Sequence, residues 1–366
     1  MLCISGLPLA SASPDAPWQG ERFVLDLGGT CVRHGLVDHQ GKMNAAHCCM
    51  ERIAQKISTR RELCDLVVDR IVIHGQQQRT FVISVAGPIS PDNRVVRKYT
   101  NVLPDDFDIP LCDMVEKRVR VRTGREIRAY VIKDAVASGM AEMGPTGAAP
   151  DRNEVLALIL GTGTGGAPCR RLPSGEIAFP DALADLGHHQ VDPAYTEQCN
   201  CGGSGCVERQ TSGSAIVAAA NRRAMDPRYA ADYRACRLFT VRGILPGAIS
   251  GEDFSWGVTT GEAFALDVLR ESIKPLSLLI RNVFTSHPGM TVVLVGGFAL
   301  GVGSVLVDFL RSALRASGIP FVRCDELVRF VQERVLIGAI DADATNLVGA
   351  RMFLLQKERR KDEDRQ

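Results

Sequence analysis

An α/β fold in two domains is what this sequence predicts, and three observations carry that reading. At 366 residues the chain exceeds what one compact core usually holds. Short apolar runs alternate with stretches of helical periodicity. The same local event also recurs three times. In FVLDLGGT (Phe23 to Thr30), EVLALILGTGTGG (Glu154 to Gly166) and TVVLVGG (Thr291 to Gly297) a buried strand runs directly into glycines.

Residues 1–20, rich in Ser, Pro and Ala and without periodicity, read as a loose lead-in. The Phe23 strand finds an antiparallel partner in VRHGLVDHQGKM (Val32 to Met43), with Asp38 to Gly41 as a hairpin turn. A helix is expected from about Thr59 to Gln77, then a buried strand from Thr80 that stops at Gly87-Pro88. A second helix, near Pro110 to Thr123, leads to IRAYVIKDAVASGMAEMG (Ile127 to Gly144), where a strand hands over to a small-residue helix just after Asp134. Beyond the Pro/Gly/Ala-rich segment Gly144 to Asp151 the cycle restarts at Glu154. One long helical region is expected from Thr260 to Phe284, an apolar helix from the glycines at 296 and 297 to about Ala316, and a last helix from about Asp343 to Lys357. The closing ERRKDEDRQ (Glu358 to Gln366) reads as a charged, solvated tail.

Charge and cysteine content narrow the function. Lys+Arg total 43 against 42 for Asp+Glu, with no long basic run before the end, so nucleic acid and membrane surface are poor partners and a small molecule is the better one. The 12 cysteines are scattered, and the first residues lack a basic start followed by an apolar core, which points to reduced thiols and a cytoplasmic location. The apolar run around Val292 to Leu300 is too short and too glycine-rich to span a bilayer.

Glycine loops after strands let backbone N–H groups approach phosphate oxygens, because no Cβ intervenes. Any one of them is equally an ordinary turn; three together favour a nucleotide. Gly28, Gly29 and Thr30 form the first candidate, with Asp26 where a carboxylate can hold Mg2+ directly or through water. Gly161, Thr162, Gly163, Thr164 and Gly165 form the second, and Gly296 and Gly297 would admit an adenosine end against bare backbone. Neither G-x-x-x-x-G-K-[ST] nor a helix-opening G-x-G-x-x-G is present. Cys199, Cys201 and Cys206 in C-x-C-x4-C, with a histidine upstream, have the count and ligand types of a closed tetrahedral zinc site. Asp134, at a strand end before a helix, is either a helix cap or a general base.

In order, DLGGTCVR, SVAGPIS, the KD of VIKDAV, GTGTGGA, DLGHH, CNCGGSGCVE, VVLVGGFA and IGAIDADATNLVGA resemble the ROK family of sugar kinases and sugar-responsive repressors, from Phe23 to about Gln356. The resemblance implies a two-lobed actin-like and hexokinase-like ATPase fold, each lobe a mixed sheet flanked by helices, with a zinc-binding loop. It implies an N-terminal lobe over 21–134 joined by a returning helix at 343–358, a C-terminal lobe over 135–342, and a tail over 359–366. It implies ATP and Mg2+, structural Zn2+ on His188, Cys199, Cys201 and Cys206 with His189 as the lesser alternative ligand, Asp134 as the base, and a dimer or tetramer. Sugar contacts by resemblance are Asn101, Lys133, Asp134, Asp185, His188 and Glu208.

Two residues depart from the family pattern: Lys133 where most members have Asn, and Asp185 where they have Glu. Lysine only donates and adds charge beside the base, unless its side chain extends to solvent; Asp withdraws the carboxylate by about 1.5 Å, enough to lose a direct hydrogen bond. The expected activity is ATP-dependent phosphorylation of a hexose hydroxyl, of glucokinase type at the 6-hydroxyl, in carbohydrate metabolism such as glycolysis. The alternatives are a kinase for N-acetylmannosamine or N-acetylglucosamine, or a catalytically weak sugar sensor or repressor relative. A repressor needs a helix-turn-helix domain before the first glycine loop, whereas the residues before Asp26 carry Pro8, Pro14, Pro17 and Gly20 and no basic helix, so DNA binding is not expected.

Overall fold

A computed structural model describes residues 20–44, 48–53, 57–75, 77–99, 102–179 and 185–363, the side chains of 361–363 excepted. The chain forms two compact units, each discontinuous: Met1–Asp151 with Cys169–Ala184 and Asp343–Gln366, and Arg152–Pro168 with Asp185–Ala342.

The first unit is built on strands β1 (Arg22–Leu27), β2 (Cys31–Val37), β3 (Cys49–Arg52), β4 (Thr80–Val85) and, beyond the hairpin β5 (Val96–Tyr99) and β6 (Leu103–Ile109), β7 (Arg128–Lys133). The sheet order is β3-β2-β1-β4-β7. β1 pairs antiparallel with β2, but parallel with β4, which is parallel to β7. β1 and β4 are buried along nearly their whole length, which is why both read as continuous apolar runs rather than alternating ones. Helices α1 (Arg60–His74) and α2 (Leu111–Thr123) cross over between the parallel strands, and α3 (Asp134–Glu142) starts where β7 ends. A capping box starts α1, with Glu62 N–H donating to Thr59 Oγ1 and Thr59 N–H donating to Glu62 Oε2. Gly124, at φ +70°, ends α2 in the left-handed conformation a helix terminus favours. Sequence reading missed β5 and β6, because LPDDFDI carries three aspartates and only Leu103 and Ile109 are buried.

The second unit holds β8 (Glu154–Leu160), the start of β9 (Thr164–Arg171), β11 (Thr291–Val295) and β12 (Val335–Ile337), with β11 parallel to both β8 and β12. The end of β9 lies in the first unit and pairs antiparallel with β10 (Ile177–Ala178). After the glycine loops come α4 (Glu208–Thr211), α5 (Gly213–Met225), α6 (Ala230–Ala235) and α7 (Arg237–Thr240). After α8 (Gly251–Thr259), which the expected long helix did not include, that helix starts only beyond Gly261 (φ +80°) and is broken into α9 (Ala263–Ser272) and α10 (Lys274–Ser286), the break falling before Pro275. Helices α11 (Gly297–Val302), α12 (Ser304–Ser317) and α13 (Leu327–Arg334) complete the unit. No described helix is long and apolar enough to cross a membrane.

The last helix, α14 (Thr345–Glu363), belongs to the first unit and packs on α3. Their backbones approach so closely at Gly349 that a Cβ there would lie 1.8 Å from the Ala137 carbonyl oxygen. The charged run from Glu358 continues this helix rather than ending it at Lys357, and Arg360 donates to both oxygens of Glu176 at 2.8 and 2.9 Å.

One buried group makes the first unit sensitive to pH. His34, 3% exposed, packs 5.5 Å from the Phe23 ring and 4.6 Å from the His74 ring. Burial, then the charges of His74 and Arg70 against a smaller pull from Glu51, lower its pKa to about 4.

Gly349→Ala should cost about 1–3 kcal/mol in chemical denaturation, whereas Gly251→Ala, where the added carbon meets no atom within 4 Å, should stay within about 0.5 kcal/mol. For His34 the folded pKa lies below the unfolded value of about 6.5, so the unfolded chain binds the extra proton and stability falls as pH drops from 6.5 toward 4, by up to about 3 kcal/mol. Unfolding curves across that range should flatten in His34→Leu; an unchanged slope would remove His34 as its source.

Candidate functional site

In the first unit the turn between β1 and β2 is Gly28, Gly29 and Thr30. Gly28 N–H donates to the Cys31 carbonyl at 2.9 Å, Tyr99 Oη donates to the Gly28 carbonyl at 2.7 Å, and the Thr30 carbonyl accepts from Ile53 N–H at 3.0 Å. Beneath the turn Asp26 is 1% exposed. Its Oδ1 accepts from Ser84 Oγ at 2.8 Å and Asn346 Nδ2 at 3.0 Å, and its Oδ2 from Arg33 Nη1 at 3.3 Å. Arg33 also donates through Nε to Asp343 at 2.7 Å. Desolvation nevertheless raises the Asp26 pKa, outweighing the Arg33 charge and the three hydrogen bonds. Burial, with the negative charges of Asp26 and Asp134, pushes the Tyr99 phenol well above its ordinary range.

Asp134 is the first residue of α3, half-buried, and its Oδ1 accepts from Ala135 N–H at 2.7 Å. The N-cap position of α3 is Lys133, one residue earlier, and its side chain makes no cap bond. Lys133 is 2% exposed, so its side chain does not reach solvent. It closes β7 opposite Val85. Asn101 lies outside the described residues.

In the second unit the Gly161–Gly165 loop joins β8 to β9 and is held from outside at each step. The Gly161 carbonyl accepts from Gly213 N–H at 2.8 Å, the Thr162 carbonyl from Ser214 Oγ at 2.6 Å, and Thr164 N–H donates to Glu208 Oε2 at 3.0 Å. Thr164 Oγ1 and Thr211 Oγ1 lie 3.2 Å apart. Gly296, at φ +95°, opens α11 so close to β8 that a Cβ would sit 2.8 Å from the Leu160 carbonyl oxygen; around Gly297 there is open space.

Asp185 precedes a short 3-10 turn, Leu186–His188, and its Oδ1 accepts from Gly166 N–H and Gly187 N–H, both at 3.2 Å. A Cβ on Gly187 would fall 1.7 Å from the Thr164 carbonyl oxygen, so the residue before His188 is pressed against the phosphate-loop candidate. The ligand atoms of His188, Cys199, Cys201 and Cys206 all lie within 4.8 Å of one another. His188 Nδ1 is 3.6 Å from Cys199 Sγ, and Cys201 Sγ is 3.7 Å from Cys206 Sγ. Exposed His189 is not in the group; its carbonyl accepts from Val207 N–H at 2.9 Å. Gly202 (φ +97°) and Gly205 (φ +73°) turn the loop around the sulfurs. Burial raises the pKa of Cys199 and of Cys206, the latter helped by its neighbouring thiols, a cost that a bound divalent cation reverses by favouring the thiolates.

Sequence reading missed Arg33, Ser84, Tyr99, Asn346 and Thr211. Arg33 was within reach, since a hairpin through Gly28–Thr30 sets it opposite Asp26. Asn346, 320 positions from Asp26, carries no local signal.

Comparison with known proteins agrees with this layout. The chain is 28% identical to a glucokinase of Thermotoga maritima over 323 residues, 86% of this chain and 94% of that one. It is 27% identical to a C(7)-cyclitol 7-kinase of Streptomyces hygroscopicus subsp. jinggangensis over 345 residues, 89% of this chain and 91% of that one. Its fold matches the crystal structure of a ROK family glucokinase from Streptomyces griseus in complex with glucose and AMPPNP, with a TM-score of 0.72 and 23% identity over 91% of this chain and 98% of that one. Residues 22–317 match the ROK family, and the chain belongs to that family.

Proposed function

We propose that the chain is a sugar kinase, transferring the γ-phosphoryl group of ATP to a hydroxyl of a hexose or a close relative of one. The observation that carries the reading is the joint construction of the second unit: the Cys/His group and the glycine loop share a backbone contact at Gly187 and Thr164, so a sugar-facing histidine and a phosphate-facing loop are set by one piece of structure. The kinase names of the relatives support the same class.

The donor set fits zinc. Bonds of about 2.3 Å to sulfur and about 2.0 Å to nitrogen place tetrahedral ligands roughly 3.5–3.8 Å apart. The 3.7 Å between Cys201 and Cys206 sulfurs and the 3.6 Å between His188 Nδ1 and Cys199 Sγ match that spacing. A zinc ion held by His188, Cys199, Cys201 and Cys206 would have four protein ligands, would be structural, and would fix the His188 ring with its other nitrogen left for a sugar hydroxyl. Glu208 is the second sugar contact we assign in this unit.

In the reaction Asp134 takes the proton of the acceptor hydroxyl, the freed oxygen attacks the γ-phosphorus, and the bond to the β-bridging oxygen breaks to release ADP. Mg2+ bound with ATP supplies charge neutralisation at the β- and γ-phosphates. Asp26, with three donors on its carboxylate and 1% exposure, would act on such an ion through water rather than directly. The Gly28–Thr30 and Gly161–Gly165 turns, apart from the Gly28, Gly161 and Thr164 amides already bonded to Cys31, Gly163 and Glu208, would offer backbone N–H groups to phosphates, and the open space at Gly297 suits the adenosine end. The buried Lys133 and the backbone-engaged Asp185 favour a substrate other than plain glucose, such as an N-acylated amino sugar.

Three measurements test this. Turnover of purified protein with glucose, mannose, fructose, allose, N-acetylglucosamine and N-acetylmannosamine should give ADP with at least one; sugar binding without ADP from any would leave a non-catalytic sensor. Asp134→Asn should lower kcat by about 10²–10⁴-fold while sugar affinity stays within a few-fold; loss of both together would make Asp134 structural. Elemental analysis should find close to one zinc per chain, lost with much of the stability in Cys201→Ser; iron, or an intact fold after chelation, would refute a structural zinc.

A further inference from the structure

Glu208 stands two residues after the last sulfur of the metal group and touches both that group and the glycine loop. Its Oε2 accepts from Thr164 N–H at 3.0 Å, and its Oε1 lies 3.7 Å from Cys199 Sγ. A Cβ on Gly163 would come within 2.5 Å of Oε2, so the loop has been left bare where the carboxylate passes. Thr211, one turn further along, adds the 3.2 Å contact to the Thr164 hydroxyl. A sugar contact requires none of this. A Gly-Thr-Gly-Thr loop has one backbone bond of its own, Gly161 N–H to the Gly163 carbonyl at 2.9 Å, which leaves the Thr164 amide to be fixed from outside. Ordering the loop at the moment of binding would weaken affinity for a phosphate ligand. A hydrogen bond from the Thr164 amide to a fixed acceptor on the Glu208 side chain orders it beforehand.

We propose that Glu208 is a positioning residue for the phosphate loop, carrying the order imposed at the Cys/His group to the Thr164 amide, so that the metal group governs nucleotide affinity as well as the sugar side. The inference rests on the kinase reading and extends it. It makes the loop's nucleotide affinity depend on an acceptor at position 208 rather than on negative charge there. Glutamine keeps that acceptor, because its amide oxygen can still take the Thr164 N–H, whereas alanine removes it.

The test is MgADP binding by calorimetry, with no sugar present, alongside zinc content and thermal unfolding of each protein. Glu208→Ala should weaken MgADP about ten-fold with zinc retained, and Glu208→Gln should return it to within about three-fold of the parent. MgADP affinity unchanged in Glu208→Ala, or lost equally in both variants, overturns the proposal. Gly163→Ala reaches the same contact with Glu208 intact: it should weaken MgADP, and Gly163→Ala/Glu208→Ala should bind no more weakly than the worse single variant, whereas additive losses count against the coupling. A parent protein that binds no MgADP overturns the kinase reading and this proposal with it, a result distinct from a parent that binds while Glu208→Ala binds equally well.

Discussion

The glycines of the two loops have no side chains with which to hold the backbone, and much of the candidate site follows from that constraint. A backbone that is to present N–H groups to phosphates must be bare, and a bare backbone is the most costly kind to order. Both units place a carboxylate next to the loop, and in the second it bonds a loop amide, while in the first Tyr99 Oη donates to the Gly28 carbonyl. In the first, Asp26 lies under Gly28–Thr30, gathering Ser84, Asn346 and Arg33. In the second, Glu208 takes the Thr164 amide directly, and Gly213 and Ser214 hold the two carbonyls before it.

The two devices differ in what they demand of the fold. Asp26 is nearly inaccessible, and burial outweighs its partners in setting its pKa, so the ionised group is held at a net cost that the surrounding sheet and α14 must offset. That accounts for the attachment of α14 to this unit: Asn346 and Asp343 bring the last part of the chain to Arg33 and Asp26, and Gly349 lets the helix backbone settle against α3. Glu208 is less deeply placed and is fixed by covalent proximity to Cys206 instead. A metal on the adjacent sulfurs would stiffen it without the cost of a fully buried charge.

Local chemistry was legible in the sequence and long-range chemistry was not. The apolar runs that became β1, β4, β8 and β11 announced themselves because strands buried on both faces need no polar alternation. The Cys/His group could be read from spacing, since a loop of eight residues from Cys199 to Cys206 with four intervening glycines and serines can fold back on one ion. The helical stretch from Thr260 to Phe284 misled because its apolar period runs on through Glu262 and Ile273, where backbone geometry breaks it. The charged end of α14 misled in the opposite sense: Arg360 finds Glu176, a partner 184 positions away that no local pattern reveals. The same holds for Ser84 and Asn346 at Asp26.

Lys133 and Asp185 show how structure changes the weight of a substitution. Read from sequence, Lys133 had a harmless outlet in solvent; at 2% exposure, at the end of β7, it has none. Asp185, read from sequence as a shortened sugar contact, accepts at Oδ1 from the amides of Gly166 and Gly187. The shorter side chain is therefore suited to holding the His188 turn against β9, which an additional methylene would push apart, since Gly187 already lacks room for a Cβ. One departure buries a lysine next to Asp134 in the sequence, and the other ties a carboxylate oxygen to two backbone amides of the His188 turn and β9.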